Sequence, residues 1–446
     1  MNLVYGVKDR PPFGKTLLFS LQQMLAILAA TIAVPAIVGN GMSQSAALFG
    51  AGVGTLVYQL FTQFKSPVFL GSSFAFLGSM FAAFAGAVSM EAGYAGLILG
   101  AAFAGLVYVV LALIVKMAGV KWINRLMPPV VIGPTVAIIG LSLAGNAIGN
   151  SFGFGSPLAD GYTLNWGTLV NLICAIATLL CVVFCSVKGK KMMKQIPFII
   201  GILFGYLCAL VFTLIGKAAG NASLAILDFS AFSRMQWTPD FTFLKAFQGA
   251  KELTAQYVVT IAVAYVPVAF VVFAEHIADH KNLSSIIGAD LLEDPGLHRT
   301  LLGDGVGSIA GAFFGGCPNT TYGESVGCVA ISGNASVVTI TLTAVICIIA
   351  SFFGPFVTFL STIPTCVMGG VCITLYGFIA VSGLKMLQPV DLNDNRNLFT
   401  ASTILIAGIG GMSIHIGSVT LTEVACALLL GILVNVLFNN PSQKAK

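Results

Sequence analysis

Long apolar runs recur from one end of the chain to the other, and no other feature constrains its fold as tightly. They lie at about residues 16–38, 44–64, 68–89, 94–118, 128–149, 164–187 and 196–218, then at 254–279, 299–316, 318–332, 335–353, 355–384, 397–416 and 419–438. A more polar stretch, 219–252, separates the two sets. A run of roughly 20 apolar residues spans a bilayer as a helix. The pattern therefore predicts an all-α polytopic membrane protein with fourteen transmembrane segments. Composition agrees. Charged residues make up 8% of the 446, against about 25% in soluble domains, and mean hydropathy is +0.96. Disorder, nucleic-acid binding and a disulfide-stapled secreted scaffold are excluded.

The basic residues orient the spans. With a cytoplasmic N-terminus, the inside set is Lys8, Arg10, Lys15, Lys65, Lys116, Lys121, Arg125, Lys188, Lys190, Lys191, Lys194, Lys281, Arg299, Lys385, Arg396, Lys444 and Lys446. The outside set is Lys217, Arg234, Lys245 and Lys251. So strong a positive-inside bias predicts that both termini are cytoplasmic, and the chain is expected in the cytoplasmic (inner) membrane. The N-terminal stretch lacks a short apolar segment followed by a small-residue cleavage site, so the first run reads as a retained span. The ten cysteines form no C-x-x-C pair and no zinc-spaced cluster, and they read as small hydrophobes.

The halves echo each other. Pro128-Pro129-Val130-Val131-Ile132-Gly133 opens the fifth run, and Pro364-Thr365-Cys366-Val367-Met368-Gly369 sits in the twelfth. Seven is odd, so two seven-span repeats must run in opposite senses across the membrane. The third run (Pro67 to Phe76) and the tenth (Cys317 to Ser325) carry β-prone and turn-prone residues before a short helical piece. Non-helical backbone survives at membrane depth only where it is buried in protein or lines a cavity. Broken segments at matching places in two halves therefore point to a binding site.

Acidic residues inside the apolar runs are few: Glu275, Asp279, Asp304, Glu324 and Glu423. An intramembrane carboxylate costs about 2.5 kcal/mol or more, so each needs a reason. Glu324 lies in the broken tenth segment. Asp279 follows Glu275 by one helical turn and shares its face. A carboxyl in an apolar cavity beside a second carboxyl can hold a proton near neutral pH and release it on conformational change, which is what proton coupling requires. Asp304, between two glycines, reads as a cap or a bridge between helices, and Glu423 as interfacial. His276, His280, His298 and His415 have no second ligand at metal spacing and read as lone polar side chains. The chain has no nucleophile elbow, no H-E-x-x-H and no phosphate-binding loop, so nothing marks it as an enzyme.

Several stretches together resemble the nucleobase–cation symporter-2 family, the nucleobase–ascorbate transporters, and within it the bacterial uracil permeases. They are Gly6 to Pro12, Ser20-Leu21-Gln22, Leu70 to Phe76, Ala274-Glu275-His276-Ile277, Asp294 to Arg299, Pro318 to Glu324 and Val367-Met368-Gly369-Gly370. The resemblance implies two inverted seven-span repeats, with short antiparallel strands in spans 3 and 10. It implies a core domain (16–118 and 254–353), a gate domain (128–218 and 355–438) and a homodimer formed through the gate. It implies uracil import coupled to protons by alternating access, with sodium as the other candidate ion and no cofactor. Carried over, Glu275 and Glu324 hold the base by its N–H groups. Backbone at Phe74 and Gly323 reads its remaining edges, Tyr322, Ala30 and Tyr376 line the pocket, and Glu275 with Asp279 handles the proton.

Three positions depart from that pattern. Asp279 stands where uracil permeases usually have histidine and where purine-type members often have aspartate. Gln23 replaces a histidine common after Ser-Leu-Gln, and Ser325 an asparagine common after the glutamate. Three other readings therefore stand beside uracil: a purine base such as xanthine or guanine, an anion exchanger or channel of similar architecture, and an integral membrane enzyme. The absence of Lys and Arg from the broken segments speaks against anions, and the missing catalytic constellation speaks against an enzyme.

Overall fold

The computed structural model describes residues 3–119, 122, 126–154, 158, 161–190, 192–416 and 419–438. Lys121, Arg125, Lys191, Lys444 and Lys446, assigned above to the cytoplasm, lie outside the described residues.

In chain order, α1 (Phe13–Val38) and α2 (Gln44–Phe61) precede a short strand, β1 (Leu70–Ser72), then α3 (Leu77–Ala85) and α4 (Met90–Ala118). Next come α5 (Pro129–Ser142), α6 (Ala144–Ser151), α7 (Trp166–Lys188) and α8 (Pro197–Ala218). The polar stretch carries α9 (Thr242–Gly249). After it follow α10 (Ala255–Ile287), α11 (Leu297–Gly315), β2 (Asn319–Thr321), α12 (Gly323–Ser332), α13 (Val337–Ala350) and α14 (Gly354–Ser361). The chain closes with α15 (Thr365–Lys385), α16 (Asn395–Ile409), β3 (Ile414–Ile416), β4 (Val419–Leu421) and α17 (Glu423–Phe438).

Local chemistry sets these limits. Ser43 accepts the Ala46 amide ahead of α2, Asn165 and Thr168 cap α7 reciprocally, and Thr254 accepts the Tyr257 amide ahead of α10. Gly288 ends α10 in the left-handed region, at φ 70°. Among the described residues, seven helices are long and apolar enough to cross a bilayer. Several predicted runs are broken. The run at 355–384 is two helices: α14 turns 83° away from α13, and α15 starts only after Pro364. The run at 128–149 breaks at Leu143. The runs at 397–416 and 419–438 give part of their length to an antiparallel hairpin, β3–β4, where helix was expected.

The helices pack as two sets. One contains α1–α4 and α10–α13, the other α5–α8 and α15–α17. They meet where α1 touches α8 and where α10 touches α5 and α17. Large apolar side chains such as Leu180 and Leu207 point outward, as lipid contact requires. All ten cysteines are free.

Small residues let the first set close tightly. A Cβ on Gly50 would lie 2.5 Å from the Gly311 carbonyl oxygen, and one on Gly54 would lie 2.7 Å from that of Gly307. This is a small-x-x-x-small contact between α2 and α11. It seats the two strands. β1 and β2 pair antiparallel, Leu70 with Thr321, Gly71 with Thr320 and Ser72 with Asn319, and every strand residue is buried. Pairing continues at both ends, from the Ser73 amide to the Pro318 carbonyl (2.9 Å) and from the Tyr322 amide to the Phe69 carbonyl (3.1 Å). Backbone groups that a helix would have satisfied are thus satisfied across the pair. After the strands, α3 and α12 start as half-helices inside the protein.

Candidate functional site

α10 carries Glu275, Ala278, Asp279 and Asn282 on one stripe, at helical spacing, and all four line a cavity of about 510 Å³. From the β2 side, Gly323, Glu324, Gly327 and Cys328 of α12 line it too. Its opposite wall is apolar and comes from the second helix set: Val136, Phe198, Leu375, Phe378 and Ile379. Ser186, Ser382, Met386 and the exposed Lys194 also line it, Lys194 being its one basic residue among those described. A few polar groups on one side and an apolar wall on the other suit a small flat ligand with polar edges.

Asp279 is tied across to β2. The Thr321 hydroxyl donates to Asp279 Oδ2 at 2.8 Å. A Cβ built on Gly323 would come 3.9 Å from Asp279 Oδ1, so the other carboxylate oxygen stands over the first turn of α12. That helix start presents backbone N–H groups and the positive end of its dipole to the cavity.

The structure therefore brings Glu275, Asp279, Gly323 and Glu324 to one cavity. It puts the other expected site residues elsewhere. Tyr322, expected in the pocket wall, is buried behind the strands. Its hydroxyl donates to the Ser72 carbonyl (2.9 Å), and its ring lies 2.4 Å from where a Gly71 Cβ would be. Ala30 is buried in α1, and Ala26, one turn earlier, faces the cavity instead. Phe74 and Tyr376 meet edge to face, with ring centroids 5.8 Å apart. Phe74 borders a second, smaller cavity of about 90 Å³, shared with Asn146, Thr422 and Glu423.

The neighbouring face of α10 is also polar, which the sequence reading missed. His276 Nδ1 lies 2.7 Å from Asp304 Oδ2 and its Nε2 lies 2.9 Å from Thr300 Oγ1. His280 Nδ1–H donates to the His276 carbonyl (2.8 Å), leaving Nε2 to accept from the Tyr58 hydroxyl (2.7 Å). Both rings are fully buried, so these are not lone polar histidines at a helix end. Asp304 is a bridge between α10 and α11. The missed signal was the i, i+4 spacing of His276 and His280, one position after that of Glu275 and Asp279. Among the described residues no cluster could hold a metal ion.

A helical membrane protein that gathers ionisable side chains at paired broken segments is a transporter. The fold is shared with solved transporters. The transmembrane domain of the cyanobacterium bicarbonate transporter BicA superposes with a TM-score of 0.66 at 17% identity, over 97% of this chain and 99% of that one. The SLC26A9 structure gives 0.65 at 13% identity, over 95% of this chain and 64% of that one. The chain itself belongs to the permease family described as "Xan_ur_permease: Permease family", which matches residues 14–417. It is a permease and not an enzyme. The uracil permease of Bacillus caldolyticus is 39% identical over 99% of this chain and 96% of its own length. That of Bacillus subtilis (strain 168) is 37% identical over 97% and 94%, and that of Escherichia coli (strain K12) 34% over 97% and 93%.

Proposed function

We propose that this permease imports uracil together with a proton across the cytoplasmic membrane. The observation that carries the reading is the meeting of Glu275 and Glu324 in one cavity, from a continuous helix and a half-helix. Uracil presents N–H groups and carbonyls on its edge. The two carboxylates accept from the N–H groups, and backbone N–H at the start of α12 donates to a carbonyl. The cavity's size, about 510 Å³, lies in the range of small-molecule sites. Nearly full-length likeness to proteins named uracil permease supports the substrate.

Asp279, one turn from Glu275, would share the coupling proton with it. Fourteen spans in two inverted repeats, a core (16–118, 254–353) and a gate (128–218, 355–438) describe the architecture. The two packing sets support that division. Movement of core against gate would open the cavity to either side. Here it takes in Lys194, on the lysine-rich side, which fits a cavity facing the cytoplasm, with both termini on that side. The outer barrier is then the Phe74–Tyr376 contact. A homodimer through the gate completes the reading.

Asp279 favours one second reading, a purine base, since a single polar group can reverse discrimination between bases. Binding of uracil and of xanthine to the purified protein, measured by calorimetry, separates the two. Uracil binding that xanthine does not displace supports the first. Xanthine binding without uracil binding supports the second.

A further inference from the structure

Thr321 is fully buried on β2, and its neighbour in register is Leu70 of β1. Leu70 is itself held by Thr55 of α2, whose Oγ1 accepts the Leu70 amide at 2.9 Å. The backbone that carries the Thr321 side chain is therefore fixed by a paired strand. It donates to Asp279 at 2.8 Å. Alternation along the strand sends Thr320 the other way, and its hydroxyl has no partner among the described residues. Of the two threonines, only Thr321 is aimed at the cavity carboxylates.

We infer that Thr321 is a positioning residue for coupling: it holds Asp279 over the start of α12 and thereby sets the pH range of transport. The inference rests on the proton-coupled reading above. A hydrogen bond donated to a carboxylate favours its ionised form. The groups that bear on Asp279 are Glu275, His276 and His280 on its own helix. Tyr58 on α2, Asp304 on α11, Glu324 on α12 and Lys194 across the cavity complete the set. His276 and His280 are engaged with Asp304 and Tyr58 on the other face. A negative charge on Glu275 or Glu324 would disfavour a second ionised carboxylate. Thr321 and the α12 start oppose them. Loss of the hydroxyl removes one of these two supports of the ionised carboxylate.

The test is the initial rate of uracil uptake against external pH in proteoliposomes, for the parent protein, Thr321→Ser and Thr321→Val. Thr321→Ser should follow the parent. Thr321→Val should bind uracil within about threefold of the parent but lose half its uptake at a pH higher by about half a unit or more. In an Asp279→Asn background, Thr321→Val should cause no further shift, because it acts through that carboxylate. If Thr321→Val is poorly folded, Thr321→Ala gives the same reading. A Thr321→Val profile that overlays the parent, or an equal shift on both backgrounds, overturns the inference while uracil transport by the parent stands. A parent protein that moves no uracil overturns the functional reading and the inference with it.

Discussion

Gln23 on α1 donates to the Ser325 hydroxyl on α12 at 2.5 Å, and the same hydroxyl accepts the Phe69 amide at 3.0 Å. Both side chains are buried. These are two of the three positions that depart from the family pattern, so two separate changes in sequence are one change in space. Together they pin the first turn of the half-helix, next to Glu324, to α1 and to the residue before β1. Exchange of either partner alone should reduce uptake, with a coupling of about 1 kcal/mol between them. The pair Gln23→His with Ser325→Asn should restore more activity than either single change. Uptake rates of the four proteins check this, and strict additivity would show that the contact has no functional weight.

Glu324 should dominate affinity. A hydrogen bond to a charged group contributes about 1.5–3 kcal/mol. Glu324→Gln should therefore raise the Kd for uracil about ten- to a hundredfold, read by calorimetry. An unchanged Kd removes Glu324 from the binding site.

Asp279→Asn should flatten the dependence of uptake on external pH. On the proton-coupled reading the parent loads its proton from outside, so its uptake should decline as external pH rises. An amide in place of the carboxyl cannot exchange that proton. The pH profile of uptake checks this, and retention of the parent's slope would mean that the proton binds elsewhere.

The strand crossing has no room for a side chain at Gly71, where a Cβ would sit 2.4 Å from the Tyr322 ring. Gly71→Ala should lower the unfolding temperature and abolish uptake. Gly377, on a helix with nothing within 4 Å of its Cβ position, should accept alanine without loss. Thermal unfolding in detergent compares the two, and equal behaviour would argue against the described packing.

A cysteine placed at the exposed Lys251 should react with an impermeant thiol reagent added outside intact cells, and one placed at the exposed Lys281 should not. The native cysteines are buried or half-buried and give a low background. External labelling at Lys281 would invert the topology.

Much of this was legible in the sequence because bilayer physics leaves few options. Apolar run length gave the polytopic helical class, and basic-residue bias an expected side for each loop. The β-prone stretch after Pro67 and the Thr-Thr pair before Gly323 marked the broken segments. What stayed hidden depends on three-dimensional approach. Nothing in sequence spacing brings Thr321 to Asp279, 42 positions apart, or Gln23 to Ser325, 302 positions apart. The β3–β4 hairpin was missed because Ile414, Ile416, Val419 and Leu421 read equally well as the end of one apolar helix and the start of another. Tyr322 was misplaced because its neighbours Gly323 and Glu324 do face the cavity, while its own ring fills the space left by Gly71.

Proton-driven uracil transport is tested by labelled uracil uptake into proteoliposomes with and without an imposed pH gradient. Uracil should accumulate when the outside is acidic, the accumulation should collapse with a protonophore, and unlabelled uracil but not xanthine should compete. Uracil uptake indifferent to the gradient, or transport of xanthine in its place, would contradict it.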